Sequence, residues 1–153
     1  METLERVLRE HPFFDGIEPR TVAFLTGCAA NVRFAPGDFL FREGESANAM
    51  FLLRAGRVAM EAHTPGSGTT SLLTLEAGDV FGWSWLYPPY VWRLDARAVE
   101  PVRALAFDGK CLRAKCEADH DVGYELLKRL LREIERHIER AHLQLIDMYR
   151  IHP

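Results

Sequence analysis

The sequence predicts an α+β fold that is mainly β, with an antiparallel sandwich or barrel between two helical segments. Three observations lead to this prediction. Residues 1–30 carry apolar side chains at helical spacing, residues 31–109 alternate short apolar runs with glycine-containing turns, and residues 110–150 are again helical in pattern. With 153 residues, the chain is expected to form a single domain over 1–153.

Two helices are predicted near the amino terminus. The first lies between Thr3, which can cap it, and Pro12, which ends it. Its apolar positions are Leu4, Val7 and Leu8. The second runs from Pro19, which suits a first turn, to Gly27, which suits a helix end.

The middle of the chain predicts a series of short strands. Apolar runs of about five residues recur every eight to twelve residues, which is typical of an antiparallel sandwich or barrel. Glycine-containing turns separate them at Pro36-Gly37-Asp38, Glu43-Gly44-Glu45, Ala55-Gly56-Arg57, Pro65-Gly66-Ser67-Gly68 and Ala77-Gly78-Asp79. After an insertion at 83–92 the apolar pattern continues with Val99, Val102, Leu105 and Phe107.

The last predicted helix runs from about Val122 to Tyr149, with Asp121 available as its cap. Its apolar residues step alternately by four and three positions, which is the heptad repeat of helices that pair. The other positions are highly charged, so a monomer would expose this stripe, and we expect a homodimer. For the first half of the helix, packing against the chain's own β-domain is the alternative. The predicted dimer interface consists of Leu127, Leu131, Ile134, Ile138, Ala141, Leu145 and Met148.

Composition and charge exclude several classes of protein. The apolar fraction of 48% and the charged fraction of 27% are those of a folded globular domain. A net charge of −3 makes nucleic acid a poor partner, because binding to phosphates requires a basic excess. No apolar run approaches the roughly 18 residues of a membrane span, and the acidic start is unlike a signal peptide. We therefore expect a cytoplasmic protein without membrane contact.

The cysteines and histidines predict neither a disulfide nor a metal site. Cys28, Cys111 and Cys116 are an odd number in a chain long enough to fold without covalent links, so we expect free thiols. His137 and His142 are five residues apart rather than one helical turn, which favours surface or interface roles. The strands contain too few histidines for a metal-dependent catalytic centre, and Ser84 has no evident base. An enzyme is not expected.

Three glycine-cornered segments, in this order and spacing, carry a resemblance that covers nearly the whole chain. They are residues 36–45 (PGDFLFREGE), 50–58 (MFLLRAGRV) and 75–82 (LEAGDVFG). The chain resembles the cyclic nucleotide-binding domain of the catabolite-activator (CRP) and FNR type regulators. The resemblance implies an eight-stranded β-roll (a jelly roll, or double-stranded β-helix) with helical flanks and a long carboxy-terminal dimerisation helix.

The resemblance also implies a ligand cassette at 81–98. In the family, amides at the start of a short helix bind the cyclic phosphate. An acidic residue after the glycine binds the ribose, and an arginine about ten residues later pairs with the phosphate. Here Trp83 stands where the acid is expected, and Trp92 stands at the commonest arginine spacing with Arg93 one place later. Asp95, on the same strand face as Arg93, can neutralise that arginine.

Five aromatic residues fall within 83–92, including every tryptophan of the chain. They can form an apolar box for a flat ligand, with Ser84 and nearby amides as anion donors. The candidate ligands are a cyclic nucleotide or another small aromatic or anionic molecule. The alternative is that the rings fill the pocket and bind nothing. The candidate ligand-binding residues are Phe81, Gly82, Trp83, Ser84, Trp85, Trp92 and Arg93.

Only four residues follow Tyr149, so no helix-turn-helix is expected after the dimer helix and we expect no direct DNA binding. The function predicted is that of a small-molecule-sensing regulatory domain with altered ligand specificity. The main alternative is a ligand-free structural or protein-interaction module that dimerises through its last helix. A third is a partner that forms heterodimers with a full-length DNA-binding relative.

Overall fold

A computed structural model describes residues 3–151, so both ends of the predicted domain, residues 1–2 and 152–153, lie outside the described residues. The helices are α1 (Leu4–Glu10), α2 (Pro19–Gly27), α3 (Gly109–Ala118) and α4 (His120–Ile151), with short 3-10 helices at Pro12–Phe14 and Ser84–Leu86. The strands are β1 (Ala29–Phe34), β2 (Phe39–Phe41), β3 (Ala49–Ala55), β4 (Val58–Thr64), β5 (Gly68–Leu75), β6 (Val80–Phe81), β7 (Asp95–Ala98) and β8 (Val102–Asp108).

The eight strands form two four-stranded antiparallel sheets, with the orders β1-β8-β3-β6 and β2-β7-β4-β5. The non-sequential neighbours show that the chain winds between the two sheets, as in a β-roll. The predicted α+β class and roll architecture are therefore confirmed. One apolar cluster fills the roll between the sheets, and a second joins the roll to the helices.

The amino-terminal helices form as predicted. The hydroxyl of Thr3 accepts a hydrogen bond from the Arg6 amide at 3.2 Å, which satisfies one of the free amides of the first turn. Val7 and Leu8 are buried, and so are Val22 and Leu25 of α2. These apolar faces pack into the cluster that joins the roll to the helices.

Helix α4 begins slightly earlier than predicted, and its cap differs. The carboxylate of Asp119, and not that of Asp121, accepts hydrogen bonds from the first amides of the helix, at 3.2 Å from Asp121 and 3.4 Å from Val122. The prediction of Asp121 as the cap was wrong because a single residue, Asp119, lies between the end of α3 and the start of α4.

The face of α4 that packs against the chain's own domain is not the face that was predicted to form the dimer. The buried positions are Val122, Leu126, Leu130, Glu133 and His137. In this half of the helix each predicted interface residue directly follows a buried residue and therefore points to a different side. Leu131 and Ile138, for example, are 61% and 62% exposed. Leu127, Leu145 and Met148 are also exposed, whereas Ile134 and Ala141 are half-buried. The alternative, that the first half of the stripe packs on the β-domain, therefore fails for its exposed residues.

The cysteine prediction was wrong for two of the three residues. Cys28 and Cys111 form a disulfide with their Cα atoms 6.0 Å apart, although 83 residues separate them in sequence. It links the segment after α2 to the first turn of α3, which lie side by side because β1 pairs with β8. Cys116 is a free, buried thiol as predicted, and burial raises its pKa.

No helix in the described part of the chain has the length and hydropathy that crossing a membrane requires.

Candidate ligand-binding site

A small cavity lies at the end of β6, where the roll opens toward the predicted cassette. Its volume is about 40 Å³. Its walls come from β2, β4 and both ends of the insertion between β6 and β7: Phe41, Met60, Gly82, Trp83, Ser84, Trp92, Arg93 and Leu94. Five of the seven predicted ligand-binding residues therefore line one space. Phe81 lies just behind it, with its ring centroid 6.4 Å from that of Phe41.

Trp92 forms part of the wall of this opening. Its ring stacks on that of Phe41, with centroids 3.8 Å apart and planes inclined by 11°. Only 5% of Trp92 is exposed. Since pockets for small molecules typically measure about 300–1,000 Å³, the cavity beside this stack holds no more than a water-sized molecule while Trp92 stays in place.

The chain enters the cassette through a sharp turn at Gly82. Its φ of +88° lies in the left-handed region, and a Cβ here would come within 3.0 Å of the Ala49 carbonyl and 3.2 Å of the Trp92 ring. Glycine is therefore required by both conformation and space. The expected short helix is a single 3-10 turn, Ser84–Leu86, in which the Leu86 amide already bonds the Trp83 carbonyl at 3.1 Å.

Trp85 does not line the cavity. It is fully buried in the cluster between the roll and the helices, where its indole N–H donates to the Gly82 carbonyl at 2.8 Å. The Arg113 guanidinium of α3 donates to the Trp85 carbonyl at 2.6 Å. This tryptophan therefore fixes the cassette to α3 and is not available to a ligand, contrary to the prediction.

Arg93 lies exposed at the mouth of the cavity. Within residues 3–151 it makes no hydrogen bond or ion pair, and Asp95 does not neutralise it. The Asp95 carboxylate instead accepts from the Glu43 amide at 2.8 Å. Arg97, further along the same strand, pairs with Glu61 through two contacts of 2.9 Å.

The outer part of the insertion is held against the loop between β2 and β3. The Ala47 amide donates to the Tyr90 carbonyl at 2.7 Å, and the Trp92 amide donates to the Glu45 carbonyl at 2.9 Å. Tyr90 has a φ of +56°, and its ring contacts the Arg113 guanidinium at 4.2 Å. These contacts hold the loop segment that carries Trp92 in place.

The inner part of the cassette touches the long helix. The Trp83 ring lies 5.6 Å from the ring of His137 on α4. Nearby, Arg140 donates to the Asp79 carboxylate at 3.0 Å, which links α4 to the turn before β6. The cassette and α4 are therefore in direct mechanical contact.

His137 lies in a buried polar cluster with Asp79 and Glu133, whereas a surface or interface role is predicted from its spacing to His142. Burial lowers the pKa of His137 to about 4, and the charge of Arg140 adds to this effect. Burial also raises the pKa of Glu133. The sequence signal for this cluster is the spacing of Glu133 and His137, which are four residues apart and therefore on the same helical face.

The fold and the site define a β-roll domain with a cassette between its sixth and seventh strands and a long helix behind it. The cyclic nucleotide-binding domain family matches residues 31–119, and the chain belongs to this family.

Two relatives agree with this assignment. CRP-like cAMP-activated global transcriptional regulators from two strains of Mycobacterium tuberculosis are 28% identical over 145 residues, which cover 95% of this chain. The chain spans 63% of the length of these relatives.

The fold is shared with solved structures that are under 25% identical in sequence. One is a cyclic nucleotide-binding protein from Geobacter metallireducens GS-15, with a TM-score of 0.80 and 24% identity. The match covers 90% of this chain and 99% of the Geobacter chain. The sensor domain of the transcriptional regulator DNR from Pseudomonas aeruginosa gives 0.70 at 22% identity, covering 90% and 95%. At these identities the likeness concerns the fold alone.

Proposed function

We propose that this domain is a small-molecule-sensing regulatory module whose ligand specificity has moved away from cyclic nucleotides. It would work in the cytoplasm as a homodimer through α4, with no enzymatic role and no DNA-binding output from these 153 residues. Ligand binding in cassette 81–98 would shift the cassette and α4 between two arrangements. An apolar cavity lined by aromatic rings, with the unpaired Arg93 at its mouth, carries this proposal.

Specificity follows from the residues that line the cavity. The indole of Trp83 can donate one hydrogen bond but cannot accept from a ribose hydroxyl as a carboxylate can. Leaving that hydroxyl unpaired costs about 1–3 kcal/mol, or roughly ten- to hundredfold in affinity. Arg93 at the mouth retains one cation for an anionic group, while Trp92 and Phe41 offer flat apolar faces.

Binding is coupled to α4 through Trp83. A ligand that displaces Trp92 needs space at the mouth of the cavity, where Trp83 separates the cavity from His137. Movement of Trp83 would therefore reach α4 directly. The exposed apolar stripe of α4 supports a second copy as the partner that responds, because a charged helix with one such stripe pairs readily in water.

Calorimetry with cAMP and cGMP, combined with tryptophan fluorescence during a screen of anionic aromatic metabolites, tests the proposal. We expect cyclic nucleotides to bind weakly, and at least one anionic aromatic compound to bind more tightly and to change the fluorescence. A submicromolar dissociation constant for either nucleotide would contradict the altered specificity. Binding of the aromatic compound should weaken in Arg93→Gln, and Arg57→Gln on a distant turn serves as the charge-matched control.

A ligand-free interaction module is the second candidate function, and the Trp92–Phe41 stack favours it. If the stack is a permanent filling, the domain serves to present α4 to a partner. The same screen separates the two functions. Unchanged fluorescence and no heat with any compound, from a protein that still dimerises, would support the module and reject the sensor.

A further inference from the structure

Three metal-ligating side chains meet where α4 packs on the roll. One oxygen each from Asp79 and Glu133 and one ring nitrogen of His137 all lie within 4.8 Å of one another. The three residues are 6%, 5% and 4% exposed. Asp79 comes from the turn between β5 and β6, whereas Glu133 and His137 are one helical turn apart on α4.

Two buried atoms of these three side chains lack a partner. Glu133 Oε2 and His137 Nε2 are buried without a hydrogen bond to any described residue, and they lie 4.0 Å apart. A buried polar atom without a partner costs about 1–3 kcal/mol. Two such atoms facing each other indicate a site for something that bonds to both.

Neighbours hold one oxygen of each carboxylate in the cluster. Arg136 donates to Glu133 Oε1 at 3.1 Å, which leaves Oε2 free. The Glu76 amide and Arg140 donate to Asp79 Oδ2 at 2.7 and 3.0 Å. Such outer contacts orient ligand side chains around metals in other proteins.

We propose that Asp79, Glu133 and His137 form a binding site for a divalent transition-metal ion of the Zn²⁺ type. One imidazole nitrogen and two carboxylate oxygens leave a fourth position for solvent. Tetrahedral ligands around such an ion are about 3.4 Å apart, given metal–ligand distances of about 2.0–2.1 Å. The three atoms therefore need to approach one another by no more than about 1.5 Å, which side-chain rotation can supply.

Two cationic side chains lie beside the ligand set: Arg136 donates to Glu133 Oε1, and Arg140 donates to Asp79 Oδ2. Arg140 is the charge that opposes a metal ion at Asp79. Its guanidinium is bound to Asp79, two of its nitrogens lack partners, and its side chain is about one-third exposed. It can turn outward, and its removal should favour the metal.

The site would link α4 to the roll directly behind Trp83, independently of any ligand in the cassette. This proposal differs from the sequence-based expectation, drawn from the spacing of His137 and His142, that the histidines are not metal ligands. Cys116 does not contribute, because it is not among the three convergent residues.

Two titrations test the proposal on the whole chain, after treatment with chelator and dialysis. Calorimetry follows the binding of Zn²⁺, and visible absorption follows the binding of Co²⁺. We expect one equivalent to bind per chain, with no thiolate-to-cobalt band. Glu133→Gln and His137→Gln should each weaken Zn²⁺ binding at least tenfold, whereas Glu139→Gln and His142→Gln, on exposed positions of the same helix, should not. Arg140→Met should tighten binding.

Circular dichroism checks that the variants fold. If the Glu133 and His137 variants do not fold, Arg140→Met still tests the proposal. The proposal is overturned if the folded wild-type chain binds no Zn²⁺. It is equally overturned if the Glu133 and His137 variants bind as tightly as their controls, or if Arg140→Met binds more weakly than the wild type.

Discussion

Trp92 stacks on Phe41 at the point where the β-roll opens, with ring centroids 3.8 Å apart. This pair closes the opening from β2 on one side and from the insertion before β7 on the other. Because both rings are buried, the stack contributes to the core of the roll as well as narrowing the cavity.

Replacing Trp92 with alanine should therefore both destabilise the fold and enlarge the cavity. We expect the free energy of unfolding to fall by about 3–5 kcal/mol, as for other large-to-small changes in cores. Chemical denaturation measures this loss. Trp83→Ala, at a partly exposed position, is the control and should cost less. A loss below about 1 kcal/mol for Trp92→Ala would show that the stack is loose in solution.

Introducing an acid next to Gly82 should improve nucleotide binding. Trp83→Glu supplies the ribose acceptor that the family pattern contains, so cAMP affinity should rise roughly tenfold or more. Trp83→Gln, similar in shape but without the charge, should give a smaller gain. Calorimetry compares the two. Equal affinities in both variants would mean that the ribose does not reach position 83.

The exposed stripe of α4 should hold the dimer together. Leu131→Glu combined with Ile138→Glu places charges at two exposed apolar positions, so it should yield a monomer with little loss of monomer stability. Light scattering coupled to size-exclusion chromatography measures the mass. Arg132→Glu, an exposed change outside the stripe, should remain dimeric. A monomeric wild-type chain would remove the basis for this expectation.

The Cys28–Cys111 disulfide should stabilise the fold. Because it closes a loop of more than 80 residues, its loss through reduction or through a Cys28→Ala/Cys111→Ala double variant should cost about 2–4 kcal/mol. Thermal denaturation with and without reductant measures this. Cys116→Ala, tested in parallel, should keep its sensitivity to reductant. If reductant has no effect on the wild type, the two thiols are not joined in solution.

The buried His137 should make the fold sensitive to acid. Its pKa is about 4 in the folded chain against about 6.5 when unfolded. The unfolded state therefore binds the proton first, and stability should fall by roughly 3 kcal/mol between pH 6.5 and pH 4. Denaturant titrations with chelator present measure this slope.

The matched variant for this acid effect is His137→Phe, which should show a shallower slope across the same range. Glu133 has the opposite sign, because its raised pKa makes it destabilising as it ionises with rising pH. Comparing the two proteins at each pH isolates the histidine. Parallel curves would place the acid sensitivity elsewhere.

Much of the fold could be predicted because its signals are local. Glycine corners and apolar periodicity indicated the strands and helices, and Gly82 in particular marks a left-handed turn. Which aromatic rings of the cassette point into the roll and which point to solvent could not be predicted in the same way. Residues 87–92 lie in a loop rather than a strand, so no regular alternation determines which ring points inward.

The disulfide and the polar cluster depend on tertiary contacts. Cys28 and Cys111 come together only through the pairing of β1 with β8. Likewise, the spacing of Glu133 and His137 is visible in the sequence, but whether that face of α4 turns inward depends on how the helix is rotated against the roll. The heptad pattern marks the adjacent face of α4, so it does not reveal the cluster.

The continuity of α4 past His137 has a geometric consequence. The helix extends for 14 residues beyond that contact, or roughly 21 Å at 1.5 Å per residue. Part of this length stays attached to the roll, because Ala141 packs on its apolar cluster and Gln144 donates to the Ser71 carbonyl of β5 at 3.1 Å. A rotation of α4 that starts beside Trp83 therefore has to move β5 with the helix or break these contacts.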